Sequence, residues 1–368
     1  MDIFRAIENN SLNTVKRLVE SGIDINMRRP MTYVTPLCLA CTLGRIEIVR
    51  FLLENGVNLT KRKNGIAILT ACNARCPRPK IVQLLLNYGL DVNYMLKVSK
   101  INALHKVCIK HFGMGHVLTD TVIRKKLETI EILVKAGIDI NSQNNRGNTA
   151  LHYAHDDTHI DVVKLLVAKG IDMNIQNIKG HTVLHNVFLR TQEKVVRFLL
   201  QAGIDPNIQD ELGNTVLHIS CIFRKNPKMV KFLLRTKIDV NRQNKLGDTA
   251  LSCACSSKLS SLAIVKILLD FGVNIDIRNN NGNNALHGAC LKGRRRTIKL
   301  LLEYGISVSE LDKEYKEKYK TDISIGIGRQ RLLVRCLRYV KDNMDKIDIT
   351  KIKILPFDIR RHFQALIY

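Results

Sequence analysis

The sequence has no tryptophan, and aromatic residues make up only 5% of its 368 positions. Any buried interior must therefore be aliphatic, built from Leu, Ile, Val and Ala, and a hydrophobic share of 45% is enough to build one. Acidic residues are also scarce. Asp and Glu number 33 against 58 Lys and Arg, a formal net charge of +25. Such an excess favours an acidic partner, although its spread along the chain also serves solubility. No stretch approaches eighteen unbroken apolar residues, so no membrane-spanning helix is expected. The opening MDIFRAIENN has no charged segment ahead of an apolar run, so no secretory leader is expected there.

Motifs that carry chemistry are missing too. There is no glycine-rich phosphate loop, no H-E-x-x-H and no Ser or Cys nucleophile signature. Asp156 and Asp157 are adjacent acids in a stretch that reads as a loop between helices. No enzymatic activity, metal or cofactor is expected. The ten cysteines lie in apolar helical stretches and read as free thiols of a reducing compartment. A cytoplasmic location follows. The clusters Arg124-Lys125-Lys126 and Arg294-Arg295-Arg296 could add nuclear import or simply be solvated helix faces.

What the chain does contain is a period. Glycines recur at Gly147, Gly180, Gly213, Gly247 and Gly282, spaced 33, 33, 34 and 35. A second series falls at Gly137, Gly170, Gly203, Gly272 and Gly305, with Lys237 in the missing slot and Gly56 and Gly89 continuing it upstream. Between them runs one recurring phrase, fullest as RGNTALHYAHDDTHIDVVKLLVAKGIDMN at 146–174. Gly147 suits a hairpin turn that needs positive φ. Thr149 caps a first helix, on which Leu151 and Ala154 share a face. Val162, Val163, Leu165, Leu166 and Val167 form the apolar stripe of a second helix, which Gly170 ends.

These residues resemble the ankyrin repeat, whose period is 33 and whose signature is T-P-L-H-x-A. Thr35-Pro36-Leu37-Cys38-Leu39-Ala40 is the nearest literal match, and Leu-His pairs recur at His105, His152, His185, His218 and His287. The resemblance implies an all-α repeat fold, an ankyrin solenoid of about nine helix-turn-helix/β-hairpin repeats over 1–308. An insertion near 110–127 is expected to lengthen the helix–helix loop of the fourth repeat. Lys237 is expected to end its helix less cleanly than Gly would.

Two constellations look like metal sites. The five histidines occupy one repeat position, so they stand roughly 10 Å apart, too far to share an ion. A hydrogen bond from each ring to the hairpin backbone or the capping Thr is expected instead. Cys38-x2-Cys41 and Cys72-x3-Cys76 fit as small core residues rather than zinc ligands.

The period stops near Val308. Residues 309–328 are highly charged and read as the last helix fraying into a linker. In 329–368, Leu332, Leu333, Cys336, Leu337 and Val340 stripe one helix, Leu355-Pro356 marks a turn, and Ile359, Phe363 and Ile367 stripe a second. This helical segment resembles a SOCS box, the module through which ankyrin-repeat proteins recruit elongins B and C and a cullin. Leu332, Cys336 and Val340 match its elongin-binding motif, and Leu355-Pro356-Phe357 its cullin motif, with Asp358 where a second Pro belongs and Arg331 before the first Leu. The segment also reads as a plain cap for the last repeat. A third resemblance, to an F-box-like element beginning Leu-Pro, has only twelve residues after Pro356 in which to build it.

The resemblance implies a substrate receptor of a cullin-RING ubiquitin ligase. The rival is an adaptor or inhibitor that occupies an acidic protein. The partner is expected on hairpin tips and first-helix ends lining a concave face: Arg146, Lys179, Arg190, Leu212, Phe223, Arg224, Lys245, Lys292 and Arg294. No recognition motif for nucleic acid accompanies the charge.

Overall fold

The computed structural model describes residues 2–29, 34–59, 65–73, 76–109, 119–154, 160–190, 192–223, 226–257, 261–309, 311 and 313–328, with the side chains of 189 and 190 excepted. The chain divides into two compact units, Met1–Glu211 and Leu212–Tyr368. Among the described residues the regular structure is helical, without strands.

The first unit runs as consecutive helix pairs. These are α1 (Ile3–Glu8) with α2 (Leu12–Glu20), α3 (Pro36–Leu43) with α4 (Ile46–Glu54), and α5 (Ile66–Ala71) with α6 (Pro79–Asn87). Then come α7 (Ala103–Cys108) with α8 (Asp120–Lys135), α9 (Ala150–Tyr153) with α10 (Ile160–Ala168), and α11 (Val183–Arg190) with α12 (Glu193–Gln201). The second unit holds α13 (Val216–Phe223) with α14 (Pro227–Leu233), α15 (Ala250–Ser256) with α16 (Leu262–Phe271), α17 (Ala285–Leu291) with α18 (Arg295–Glu303), and α19 (Lys313–Lys318). Within each unit first helices pack on first helices and second on second, as α3 does on α1 and α5, and α16 on α14 and α18.

The sequence pattern explains this layering. First helices are short and apolar on most faces, because they touch their own partner and both neighbours. In α3, Leu37, Ala40 and Cys41 are all fully buried. Second helices are amphipathic and bury one stripe, such as Ile48, Val49, Leu52 and Leu53 in α4. Each such Leu or Ile contributes about 1.5–3 kcal/mol on burial. Side-chain ladders tie the loops of neighbouring repeats together. Gln176 Nε2, for example, donates to the carbonyls of Gly180 (2.7 Å) and Gln209 (2.8 Å).

Three local expectations change or sharpen. Among the described residues the hairpins are tight hydrogen-bonded turns rather than strands. The fourth-repeat insertion does not simply lengthen a loop. Its second part, from Asp120, extends α8 to sixteen residues against nine in α4, α6, α10 and α12, about two extra turns. Thr119, Asp120 in the first turn and the helix formers Arg124 to Glu128 supply the propensity. At Lys237 the expected weaker ending is visible: α14 has seven residues, and its end is closed by Thr236 Oγ1 donating to the Leu233 carbonyl at 2.6 Å.

The largest departure is at 309–328. The linker reading gives way to a packed element. Residues 313–318 and 320–328 are helical, and Leu311, Tyr319 and Ile323 are buried. The Tyr319 hydroxyl donates to the Cys290 carbonyl at 3.3 Å. Asp322, 6% exposed, meets Arg295 at 3.3 Å and Lys299 at 3.6 Å. A Cβ on Gly326 would lie 2.6 Å from Leu302 Cβ, so glycine allows this close approach. These contacts cap α17 and α18.

Candidate protein-binding surface

Five residues make each hairpin tip. In the turn at 144–148, Gly147 N donates to the Asn144 carbonyl (2.9 Å) and Asn144 N to the Asn148 carbonyl (3.0 Å). Gly147 has φ +69°, and a Cβ there would lie 2.8 Å from Ile178 N in the next tip. Glycine is thus required twice, by the backbone and by the close approach of the neighbouring turn. That approach makes a hydrogen bond from Ile178 N to the Arg146 carbonyl (3.1 Å), repeated from Glu211 N to Lys179 O (3.0 Å). In the second unit Lys245 N donates to Leu212 O and Asn280 N to Leu246 O, both at 3.0 Å.

Within each unit the tips are therefore backbone-locked, and their side chains project from a fixed local backbone. Binding through such a surface loses little loop entropy. Arg146 and Lys179 are exposed in the first unit, and Leu212 and Lys245 in the second. Sequence reasoning missed Val98, Ile178 and Leu246, which are 86%, 60% and 67% exposed. Counting back from each turn glycine would have found the last two. The tips are thus aliphatic as well as basic, the composition of an anchor with a charged rim.

The other expected contacts fare differently. Phe223 (51% exposed) ends α13, and the exposed Lys292 follows α17. Arg294 is not a free surface cation: its guanidinium donates to the carbonyls of Ala254 (3.2 Å) and Ser257 at the end of α15, a structural role. The side chain of Arg190, all of Arg224, and the tail residues Leu332, Cys336, Val340, Leu355 and Pro356 lie outside the described residues.

The repeated histidines behave as structural pins. His152 Nδ1 accepts from Thr149 N (3.1 Å) and lies 2.9 Å from Thr149 Oγ1, while its Nε2 is 3.0 Å from the His181 carbonyl. His218 repeats this with Thr215 and the Asp248 carbonyl, and His105 with Asn102 and the Asn148 carbonyl. At His152 and His218 a neutral ring protonated on Nε2 satisfies both ends, because the Thr hydroxyl can donate to Nδ1; at His105 the Asn102 amide oxygen, 2.6 Å from Nδ1, can only accept. Among the described residues no group of three His, Cys, Asp or Glu could hold a metal ion. Cys38, Cys41 and Cys72 are buried, and desolvation raises each thiol above its ordinary range. Cys108 is pushed up to about 12 by burial, although nearby Lys126 opposes the shift. Such thiols stay protonated and pack as small apolar groups.

Burial lowers the pKa of His105 below its ordinary 6.5, against smaller opposing effects of the Asn148 carbonyl and Asp139. The folded ring therefore binds fewer protons than the unfolded one at mildly acid pH. Its stability contribution is complete above pH 6.5 and is lost as pH falls from there towards the folded value. His105→Gln should lower stability at pH 7.5 by about 1–2 kcal/mol, the scale of a lost buried hydrogen bond. It should also flatten the decline between pH 6.5 and 5, as read from urea midpoints. An equally steep decline in the variant would show that His105 does not contribute it.

A family model described as ankyrin repeats (3 copies) matches residues 3–96, 74–177, 118–210, 173–244 and 217–312. Among curated proteins, the chain is 34% identical over 93 residues to mouse (Mus musculus) "Ankyrin repeat, SAM and basic leucine zipper domain-containing protein 1", a match covering 24% of this chain and 19% of that protein. The rabbit (Oryctolagus cuniculus) counterpart is 36% identical over the same shares. A probable serine/threonine-protein kinase of Dictyostelium discoideum is 33% identical over 124 residues, covering 32% of this chain and 13% of the kinase. The chain thus spans about a fifth or less of the curated relatives it matches. Among the described residues no helix is long and apolar enough to cross a membrane.

Proposed function

This chain belongs to the ankyrin-repeat family, and on that premise we propose that it is a protein-binding scaffold serving as the substrate-recognition subunit of an elongin/cullin-RING ubiquitin ligase. The locked tips, with Arg146, Ile178 and Lys179 in one unit and Leu212, Lys245 and Leu246 in the other, carry the binding half of this reading. They suit an acidic partner with apolar side chains. The ligase half rests on Leu332-x3-Cys336-x3-Val340 followed by Leu355-Pro356-Phe357. One observation supports it over the reading of 329–368 as a cap: Leu311, Tyr319, Asp322 and Ile323 already cap α17 and α18. The tail's apolar stripe is not needed for that task.

The alternative is an adaptor that binds the acidic partner without recruiting a ligase. Asp358 in place of the second Pro, and Arg331 ahead of Leu332, favour it. Co-expression of the full chain with elongins B and C separates the two. Co-purification is expected, and Leu332→Ala with Cys336→Phe should abolish it while leaving helical content unchanged. Pro356→Ala should keep elongins and weaken cullin capture. Wild-type chain that ignores elongins at micromolar concentration would remove the ligase and leave the scaffold.

A further inference from the structure

In the first unit, a surface cavity of about 320 Å³ lies among α4, α6 and α8. Its walls carry three cations, Arg78, Lys80 and Lys125, against one acid, Glu128. Through Ile46, Pro79 and Lys80 it runs on into a groove of about 610 Å³ beside α6 and α8.

The cations are uncompensated. Among the described residues no ion pair or hydrogen bond engages the side chain of Lys80 or Lys125 or the guanidinium of Arg78, whose Nε is buried without a partner. A donor stripped of water and left without an acceptor favours a ligand that brings one. The arginines at the equivalent repeat position show what Arg78 is not doing. Each of Arg45, Arg78 and Arg294 immediately precedes a second helix. Arg45 donates to the Glu8 carbonyl (3.0 Å), although its own Nε is likewise buried and unmatched. Arg294 donates to the carbonyls at the end of α15. Arg78 instead lies over Gly44, its Cζ 2.7 Å from where a Cβ would stand, so the glycine makes room for the guanidinium. Lys125, the third cation, comes from the extension of α8. The insertion that departs from the repeat is therefore what completes this cavity's wall.

We infer that this cavity is an oxyanion site, seating an acidic side chain, carboxylate or phosphorylated, of a partner segment that lies along α6 and α8. Planar, charge-assisted hydrogen bonds from Arg78 fix the anion, and Lys80 and Lys125 add charge. The inference rests on the scaffold reading and places a contact on second helices rather than on the tips.

The test uses the full chain and two fluorescein-labelled probes, hexaglutamate and a Gly/Ser hexapeptide with one phosphoserine. Affinity is read by anisotropy at about 0.15 M salt, where distant charges are screened beyond about 8 Å. Lys80→Glu with Lys125→Glu should weaken binding about tenfold, and Arg78→Gln at least about fivefold, with unchanged circular dichroism. Lys194→Glu with Lys231→Glu, on exposed faces of α12 and α14 outside both the cavity and the tips, alters net charge equally and should change it less than about twofold. A response to phosphoserine alone identifies phosphate as the source, whereas a response to both probes shows that carboxylate suffices. Equal losses in the cavity and control variants would reduce the effect to overall charge and overturn the site. Unchanged affinity in the folded cavity variants would overturn it and leave the scaffold standing, as would wild-type chain binding neither probe while still capturing a protein partner.

Discussion

Leu184→Asp should unfold the unit Met1–Glu211. Leu184 is fully buried in α11, a helix that packs on both α9 and α12. Losing a buried Leu costs about 2–5 kcal/mol through lost transfer and the space left behind. Its carboxylate then either stays charged without a partner, at about 3–5 kcal/mol by analogy with a broken buried pair, or takes a proton and remains a poorly satisfied polar group. A domain is stable by only about 5–15 kcal/mol, so the combined loss approaches the whole. Urea titration should show the variant largely unfolded without denaturant, or with a midpoint close to zero. Lys194→Asp, on the exposed face of α12, is the control and should move stability by no more than about 0.5 kcal/mol. A Leu184→Asp chain with the wild-type midpoint would be incompatible with the packing of α11.

The repeats were legible because each signature residue has a local physical duty. Gly147, Gly180, Gly213, Gly247 and Gly282 all have φ between +68° and +78°, and Gly137, Gly170, Gly203, Gly272 and Gly305 between +83° and +94°. No other residue type serves both positions as cheaply, so the spacing survives in the sequence. The histidine pins were legible for the same reason. Parts that depend on what a side chain meets in another repeat were not. Arg294 reads as surface charge until the α15 carbonyls are seen beside it. The missing acceptor at Arg78 is likewise invisible in sequence. The α8 extension carried a helix signal, but its position between two repeat helices invited a loop. At 309–328 the charge hid a stripe. Tyr315, Tyr319, Asp322, Ile323 and Gly326 recur at helical spacing, and all but Tyr315 are buried. Only the pairing of buried Asp322 with the exposed Arg295 and Lys299 explains why an acid belongs among them.

A chain ending at residue 328 should keep the second unit's last repeats as stable as the full chain does, and one ending at 308 should not. Leu311, Tyr319 and Ile323 each lose about 1.5–3 kcal/mol of burial in the shorter chain. Leu302, now 1% exposed, loses the cover of Gly326, and the Cys290 carbonyl loses the Tyr319 hydroxyl. The Asp322 pairs add little, since Arg295 and Lys299 are largely solvent-exposed. Part of the lost burial is offset because residues 309–328 no longer have to be ordered. A net loss of about 4 kcal/mol in the opening energy of α17 and α18 is expected, roughly a thousandfold faster amide exchange there. Exchange in the first unit is the internal reference and should not respond. Tyr319→Ala in the 328-residue chain should reproduce part of the effect, about 3 kcal/mol for a large aromatic removed from a core. If 309–328 merely tethered the tail, the two truncated chains would exchange alike and Tyr319→Ala would be silent. The packing of Tyr319, Asp322 and Ile323 against the last pair of repeat helices requires the opposite.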